Sequence, residues 1–307
     1  MTTLLPHVAA RAFNSMLMIE PGKAAAIAEG LGSRILGTRV AVAGAEAVDH
    51  VAFSSGESMG RLGDQLGRRL EERGAGDRIL TVIDHVAVIS VEGTLVHKGK
   101  WIGSYSGDTS YEGIQTQVMR AAADRSVRGV VFEVDSYGGE AAGAFDTADM
   151  ISELSAIKPT IAILTDFAYS GGYLLAAAAR QIVLPETGGA GSIGVMTMHV
   201  DFSKKLESDG VNVTLLSSGA RKVDGNPFGP LPPEVASRIR AELDRGRDQF
   251  AATVSRYRGG RLSKEAALAT EADTFRGEAA VAAGLADGVV RPSEAFETFL
   301  AAVNQRG

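Results

Sequence analysis

A serine that closes a predicted strand and opens a predicted helix is placed for nucleophilic chemistry. Ser170 stands so in Asp166-Phe167-Ala168-Tyr169-Ser170-Gly171-Gly172-Tyr173. Its hydroxyl is presented at the sheet edge with helix amides behind it, the logic of a nucleophile elbow without the G-x-S-x-G sequence. Taken alone, the residue reads as well as a helix N-cap. A second glycine turn, Asp135-Ser136-Tyr137-Gly138-Gly139-Glu140, also follows a strand and precedes a helix. A glycine pair opens backbone angles that other residues avoid, and it can leave N–H groups facing a cleft. By itself it is a tight turn. Both turns fall at the C-terminal ends of neighbouring predicted strands, where open α/β sheets place ligands. The Gly139 and Gly171 amides would then flank the Ser170 hydroxyl as an oxyanion hole, each donor stabilising the transition state by about 3 kcal/mol.

A serine hydroxyl needs a base. Two candidates lie downstream, His199 and Lys222, the latter in Ser217-Ser218-Gly219-Ala220-Arg221-Lys222-Val223-Asp224-Gly225. A lysine amine ordinarily titrates near about 10.4 and serves as a base only when burial disfavours its charge. Most lysines are solvated and most isolated histidines are structural, so spacing does not choose between the two. Gly189-Ala190-Gly191-Ser192-Ile193-Gly194 fits the dinucleotide fingerprint G-x-G-x-x-G. The residues after it alternate like an extended segment, whereas that fingerprint needs a helix there.

The elements that hold these groups alternate. Strands are predicted at Arg78–Ile83, Val86–Val96, Val127–Val134, Thr160–Thr165, Gln181–Leu184, Ile193–Met196 and Val211–Leu216. Helices are predicted at Tyr111–Asp124, Ala141–Ala156, Ser170–Arg180 and Phe202–Ser208. This order implies an α/β protein with mostly parallel strands. A helical tail follows at Glu234–Tyr257, Lys264–Thr270, Gly277–Ala283 and Pro292–Val303, with Pro232-Pro233 at its start. Residues 1–77 read as an N-terminal extension with helical stretches, and residues 78–307 as the main domain. The net charge of −6 gives no basic signature for nucleic acid. The absence of cysteine rules out disulfides, thiolate metal sites and a cysteine nucleophile. The five histidines show no metal-ligand spacing, and no cofactor or metal is expected. No apolar run is long enough to span a bilayer, so a soluble protein without a membrane anchor is expected.

Three segments, Tyr169-Ser170-Gly171-Gly172-Tyr173, Gly191-Ser192-Ile193-Gly194-Val195 and Ser218-Gly219-Ala220-Arg221-Lys222, resemble the signal peptide peptidase A family of serine proteases, peptidase family S49. The phage branch of that family, the lambda-type capsid assembly (head maturation) proteases, is resembled more closely. Leu5-Pro6-His7, Ala12-Phe13-Asn14, Met18-Ile19-Glu20-Pro21, Gly143-Ala144-Phe145-Asp146 and Lys222-Val223-Asp224-Gly225-Asn226-Pro227 carry that likeness, which runs from about Leu5 to about Val290. The resemblance implies a Clp protease/crotonase-like stack of ββα units, assembled into a homo-oligomeric ring. It implies Ser170 as nucleophile, Lys222 as base and an oxyanion hole at Gly139 and Gly171. Ser192 or Ser218 could orient the lysine, although turn serines are common. Implied substrates are polypeptides: scaffold or portal-type proteins for a phage enzyme acting in the host cytoplasm or procapsid, signal peptides for a bacterial one. Two departures stand out. Tyr137 takes a place where many relatives have proline, and the sequence stops at Gly307 without the scaffold segment that often follows.

Overall fold

The computed structural model describes residues 15–24, 79–99, 102–105 and 107–305. Most of the expected extension, residues 1–77, lies outside the described residues. The strands are β1 (Leu17–Ile19), β2 (Thr81–Ile83), β3 (Val86–Val96), β4 (Ser104–Tyr105), β5 (Asp108–Ser110), β6 (Gly129–Glu140), β7 (Thr160–Tyr169), β8 (Gln181–Leu184), β9 (Gly189–Gly191), β10 (Thr274–Arg276) and β11 (Gly288–Val289). The helices are α1 (Tyr111–Ala123), α2 (Ala144–Ile157), α3 (Gly171–Ala177), α4 (Ser203–Ser208), α5 (Pro233–Arg258), α6 (Lys264–Ala269), α7 (Gly277–Ala282) and α8 (Pro292–Gln305). Among the described residues, no helix is long and apolar enough to cross a membrane.

Strands β3, β6, β7 and β8 are parallel neighbours. They are buried on both faces, which is why they read as nearly continuous apolar runs. Ala87, Ile89, Val91, Val130, Phe132, Val134, Ala162 and Leu164 point into the main core, shared with residues of α1, α2 and α3. The alternate set, Val86, Val88, Val131, Ile161 and Ile163, packs on Ala295, Phe296 and Val303 of α8.

Each long strand breaks register partway. The ladder between β3 and β6 shifts between Glu92 and Thr94, and that between β6 and β7 shifts between Val134 and Ser136. Such bulges bend the chain and raise its twist, so each strand is two strands in series followed by a helix. In the last unit the halves are separate: β8 pairs with the first half of β7, and β9 with its end. This is the expected α/β stack of ββα units. It corrects one local expectation: Asp135–Glu140 is not a tight strand-to-helix turn but the second half of β6. The glycine pair is needed because a Cβ on Gly139 would come within 1.9 Å of the Leu95 oxygen.

Two predicted strands are corrected as well. Ile193–Met196 forms only an isolated bridge, at Met196. Val211–Leu216 has no regular structure, and Val211, Val213, Leu215 and Leu216 are exposed. Its alternating apolar pattern marks extended backbone, but a strand also needs a ladder partner, and none pairs with it among the described residues.

The helical tail is held by Arg258, whose side chain is fully buried and forks onto both carboxylate oxygens of Asp287 at 2.9 Å. Asp287 also accepts from the Ile182 amide at 2.7 Å, tying α5 to β8. Burial alone would raise the Asp287 carboxyl, but the Arg258 and Ile182 hydrogen bonds outweigh it and hold the group below the ordinary aspartate value. Asp287→Ala should therefore cost about 3–5 kcal/mol, because it strands a buried guanidinium. Chemical denaturation measures this. Since the folded carboxyl titrates below the unfolded one, its contribution is complete above about pH 4 and is lost as pH falls through the folded value.

Candidate active site

Ser170 joins β7 to α3 with φ +52° and ψ −119°, a conformation that costs a non-glycine residue about 1–3 kcal/mol. It makes no capping bond through its side chain, so the N-cap reading does not describe it. The residue is 1% exposed. Its N–H donates to the Gly191 carbonyl at 2.9 Å, and its carbonyl accepts from Leu174 at 3.0 Å. The hydroxyl makes one long bond, 3.4 Å, to the Gly194 carbonyl. A turn through Ser192, itself buried at φ +56°, therefore wraps the serine.

The two glycine turns meet. A Cβ on Gly138 would lie 2.8 Å from the Gly171 nitrogen, so β6 and the start of α3 touch at backbone distance. Gly138 N–H is already engaged, donating to Ser136 Oγ at 3.1 Å, while Ser136 Oγ donates to the Gly93 carbonyl at 2.7 Å. Gly139 and Gly171, the expected oxyanion pair, lie where the end of β6 meets the start of α3. Gly172 is also forced, because a Cβ there would come within 2.8 Å of the Ser136 oxygen.

Sequence reasoning assigned nothing to Tyr111. It is fully buried, donates to the Glu140 carbonyl at 2.8 Å, and its oxygen would lie 3.2 Å from a Cβ on Gly171. Burial, with the Glu140 charge adding to it, pushes its phenol far above the ordinary tyrosine value, so it remains a donor. Tyr111→Phe should cost about 1 kcal/mol of stability, read as a lowered urea midpoint. The only forewarning was an aromatic residue directly after a helix-capping serine, which has many bland explanations.

Neither candidate base is hydrogen-bonded to Ser170 among the described residues. His199 Nε2 donates to the Asn226 carbonyl at 3.0 Å. Lys222 and Ser218 sit on an exposed turn, and among the described residues no hydrogen bond joins Lys222 to Ser170. Gly189–Gly191 is strand β9, and no helix follows it directly, which removes the structural context for a dinucleotide site.

The model of peptidase family S49 matches residues 152–305. Capsid assembly protease C of Escherichia phage lambda is 38% identical over 98% of this chain and 67% of its own length. Head-tail preconnector protein GP5 of Enterobacteria phage P21 is also 38% identical, over 98% of this chain and 58% of its own length. The chain thus spans about two thirds and less than two thirds, respectively, of these relatives. Among solved structures, an enoyl-CoA hydratase/isomerase family member aligns with a TM-score of 0.42 at 18% identity, covering 74% of each chain. With a family model over half its length and relatives 38% identical over 98% of it, the chain belongs to peptidase family S49, a family of serine peptidases.

Proposed function

We propose that this protein is a serine endopeptidase that processes proteins of a phage head, with Ser170 and Lys222 as its catalytic pair. Ser170 Oγ attacks a peptide carbonyl and the Gly139 and Gly171 amides hold the oxyanion. The Lys222 amine takes the serine proton and delivers it to the leaving amine, and water then hydrolyses the acyl-enzyme. The observation that carries this reading is the Ser170 elbow: a buried hydroxyl on a strained backbone, where the glycine-bearing end of β6 meets the start of α3. Ser192, in the turn around Ser170, is the better placed of the two orienting serines.

Lys222 is exposed on its own chain, so the lysine that serves Ser170 comes from a neighbouring copy in the expected ring. The exposed apolar segment Val211–Leu216 precedes it and supplies surface for such a neighbour to cover. The lambda and P21 relatives, a capsid assembly protease and a head-tail preconnector protein, favour scaffold or portal-type substrates over signal peptides. The test is incubation of the protein with a phage scaffold protein and, separately, with a fluorophosphonate probe. Scaffold fragments and a label on the Ser170 peptide are expected. Label confined to another serine, or no fragments from an assembled preparation, sinks the reading.

A further inference from the structure

The space in front of the two amides is filled by the protein's own N-terminal strand. Strand β1 runs antiparallel to the end of β6, with Leu17 opposite Glu140, Met18 opposite Gly139 and Ile19 opposite Gly138. Glu20 N–H donates to the Tyr137 carbonyl at 2.9 Å, and Ala141 N–H to the Met16 carbonyl at 3.3 Å. Antiparallel ladders alternate bonded and non-bonded pairs, so Met18 and Gly139 form the bonded pair between these two. The Gly139 N–H therefore points at the Met18 carbonyl oxygen. That oxygen would lie 2.0 Å from a Cβ on Gly138 and 3.2 Å from one on Gly171. The Met18 carbonyl thus lies on the Gly139 amide and beside the start of α3.

The other edge of β1 is bonded too. Leu17 N–H donates to the Met196 carbonyl at 2.8 Å, and Met196 N–H to the Leu17 carbonyl at 2.9 Å. The segment is clasped on both sides, between the oxyanion strand and the chain just after the Ser192 turn, as an added peptide strand is held. Its side chains read out a specificity. Met18 is 0% exposed within the main core, whereas Leu17 and Ile19 pack with Met196, Met198 and Ala24. Beyond Ile19, the Lys23 amine lies 5.4 Å from the Tyr137 ring centre, which fixes the exit of the strand.

We propose that Met16–Glu20 is a built-in occupant of the substrate groove, an autoinhibitory strand, and that the groove selects peptides with a long apolar residue in the place of Met18. This rests on the assignment of Ser170 and its amides as peptidase machinery. The strand must leave before a protein substrate can pair with β6. It also presents the Met18–Ile19 bond for self-cleavage: Ser170 Oγ would form an ester with the Met18 carbonyl carbon, Ile19 would leave as the free amine carrying the serine proton, and water would release Met18 as a carboxylate.

The test compares full-length wild type with Leu17→Pro, which deletes the N–H given to Met196 and touches none of the catalytic groups. The substrate is a fluorogenic tetrapeptide ending in methionine, run beside the same peptide ending in aspartate. Leu17→Pro is expected to cleave the methionine peptide about tenfold faster than wild type, since vacating the groove raises the competent fraction. It should leave the aspartate peptide alone. A synthetic peptide of residues 15–20, added in trans, should return the variant toward the wild-type rate. Because Leu17→Pro could unfold, amide exchange is also followed on wild type with a saturating peptide aldehyde ending in methionine. Faster exchange confined to residues 16–20 supports displacement, as does a fragment beginning at Ile19. Equal rates in the two proteins, or unchanged protection of residues 16–20 with the aldehyde bound at Ser170, overturns the autoinhibitory strand and leaves the peptidase reading intact. No label from fluorophosphonate on either protein removes both.

Discussion

Replacing Ser170 by alanine should lower kcat/KM by about 10⁶ while the fold survives, because removing a serine nucleophile leaves only what binding and the oxyanion hole contribute. The hydroxyl makes one long bond of 3.4 Å, to the Gly194 carbonyl, so little structure is lost with it. The backbone of the elbow, at φ +52°, is unchanged in the alanine variant and still strained. Glycine separates the two effects. Ser170→Gly should be equally inactive yet more stable by about 1 kcal/mol, since only glycine adopts that conformation without steric cost. The paired measurement is peptide turnover together with the urea midpoint. Residual activity of more than a hundredth in Ser170→Ala would mean that another group is the nucleophile. A glycine variant less stable than wild type would mean that the strain is not where the backbone places it.

The α/β class and the position of the serine were legible because both depend on local pattern. Val86–Val96 and Val130–Val134 are apolar on both faces, and Ser170 follows such a run and precedes glycines. The second half of each ββα unit was not legible. It is short, glycine-bearing and polar in places, as in Asp135–Glu140 and Gly189–Gly191, and its strand character comes from neighbours on either side. Long-range pairing explains the larger omissions. Nothing near Leu17 says that it will lie against Glu140 and Met196. Nothing near Arg258 announces Asp287. The opposite error, a strand at Val211–Leu216, has the same origin: alternation was present and a ladder partner among the described residues was not.

Lys222→Ala should reduce turnover by about 10⁴, the upper end of what a positioned general acid–base group contributes. Lys222→Arg should be no better, because a guanidinium does not release its proton in this range. Lys222 is exposed on its own chain. If the lysine acts on the serine of the next copy, an equal mixture of Ser170→Ala and Lys222→Ala chains, unfolded together and refolded, contains sites with both groups intact. In a randomly mixed closed ring about a quarter of the sites combine one chain's serine with the other chain's lysine, so turnover should return to roughly that fraction of wild type. A pair confined within one chain gives no such recovery, because every site then lacks one partner.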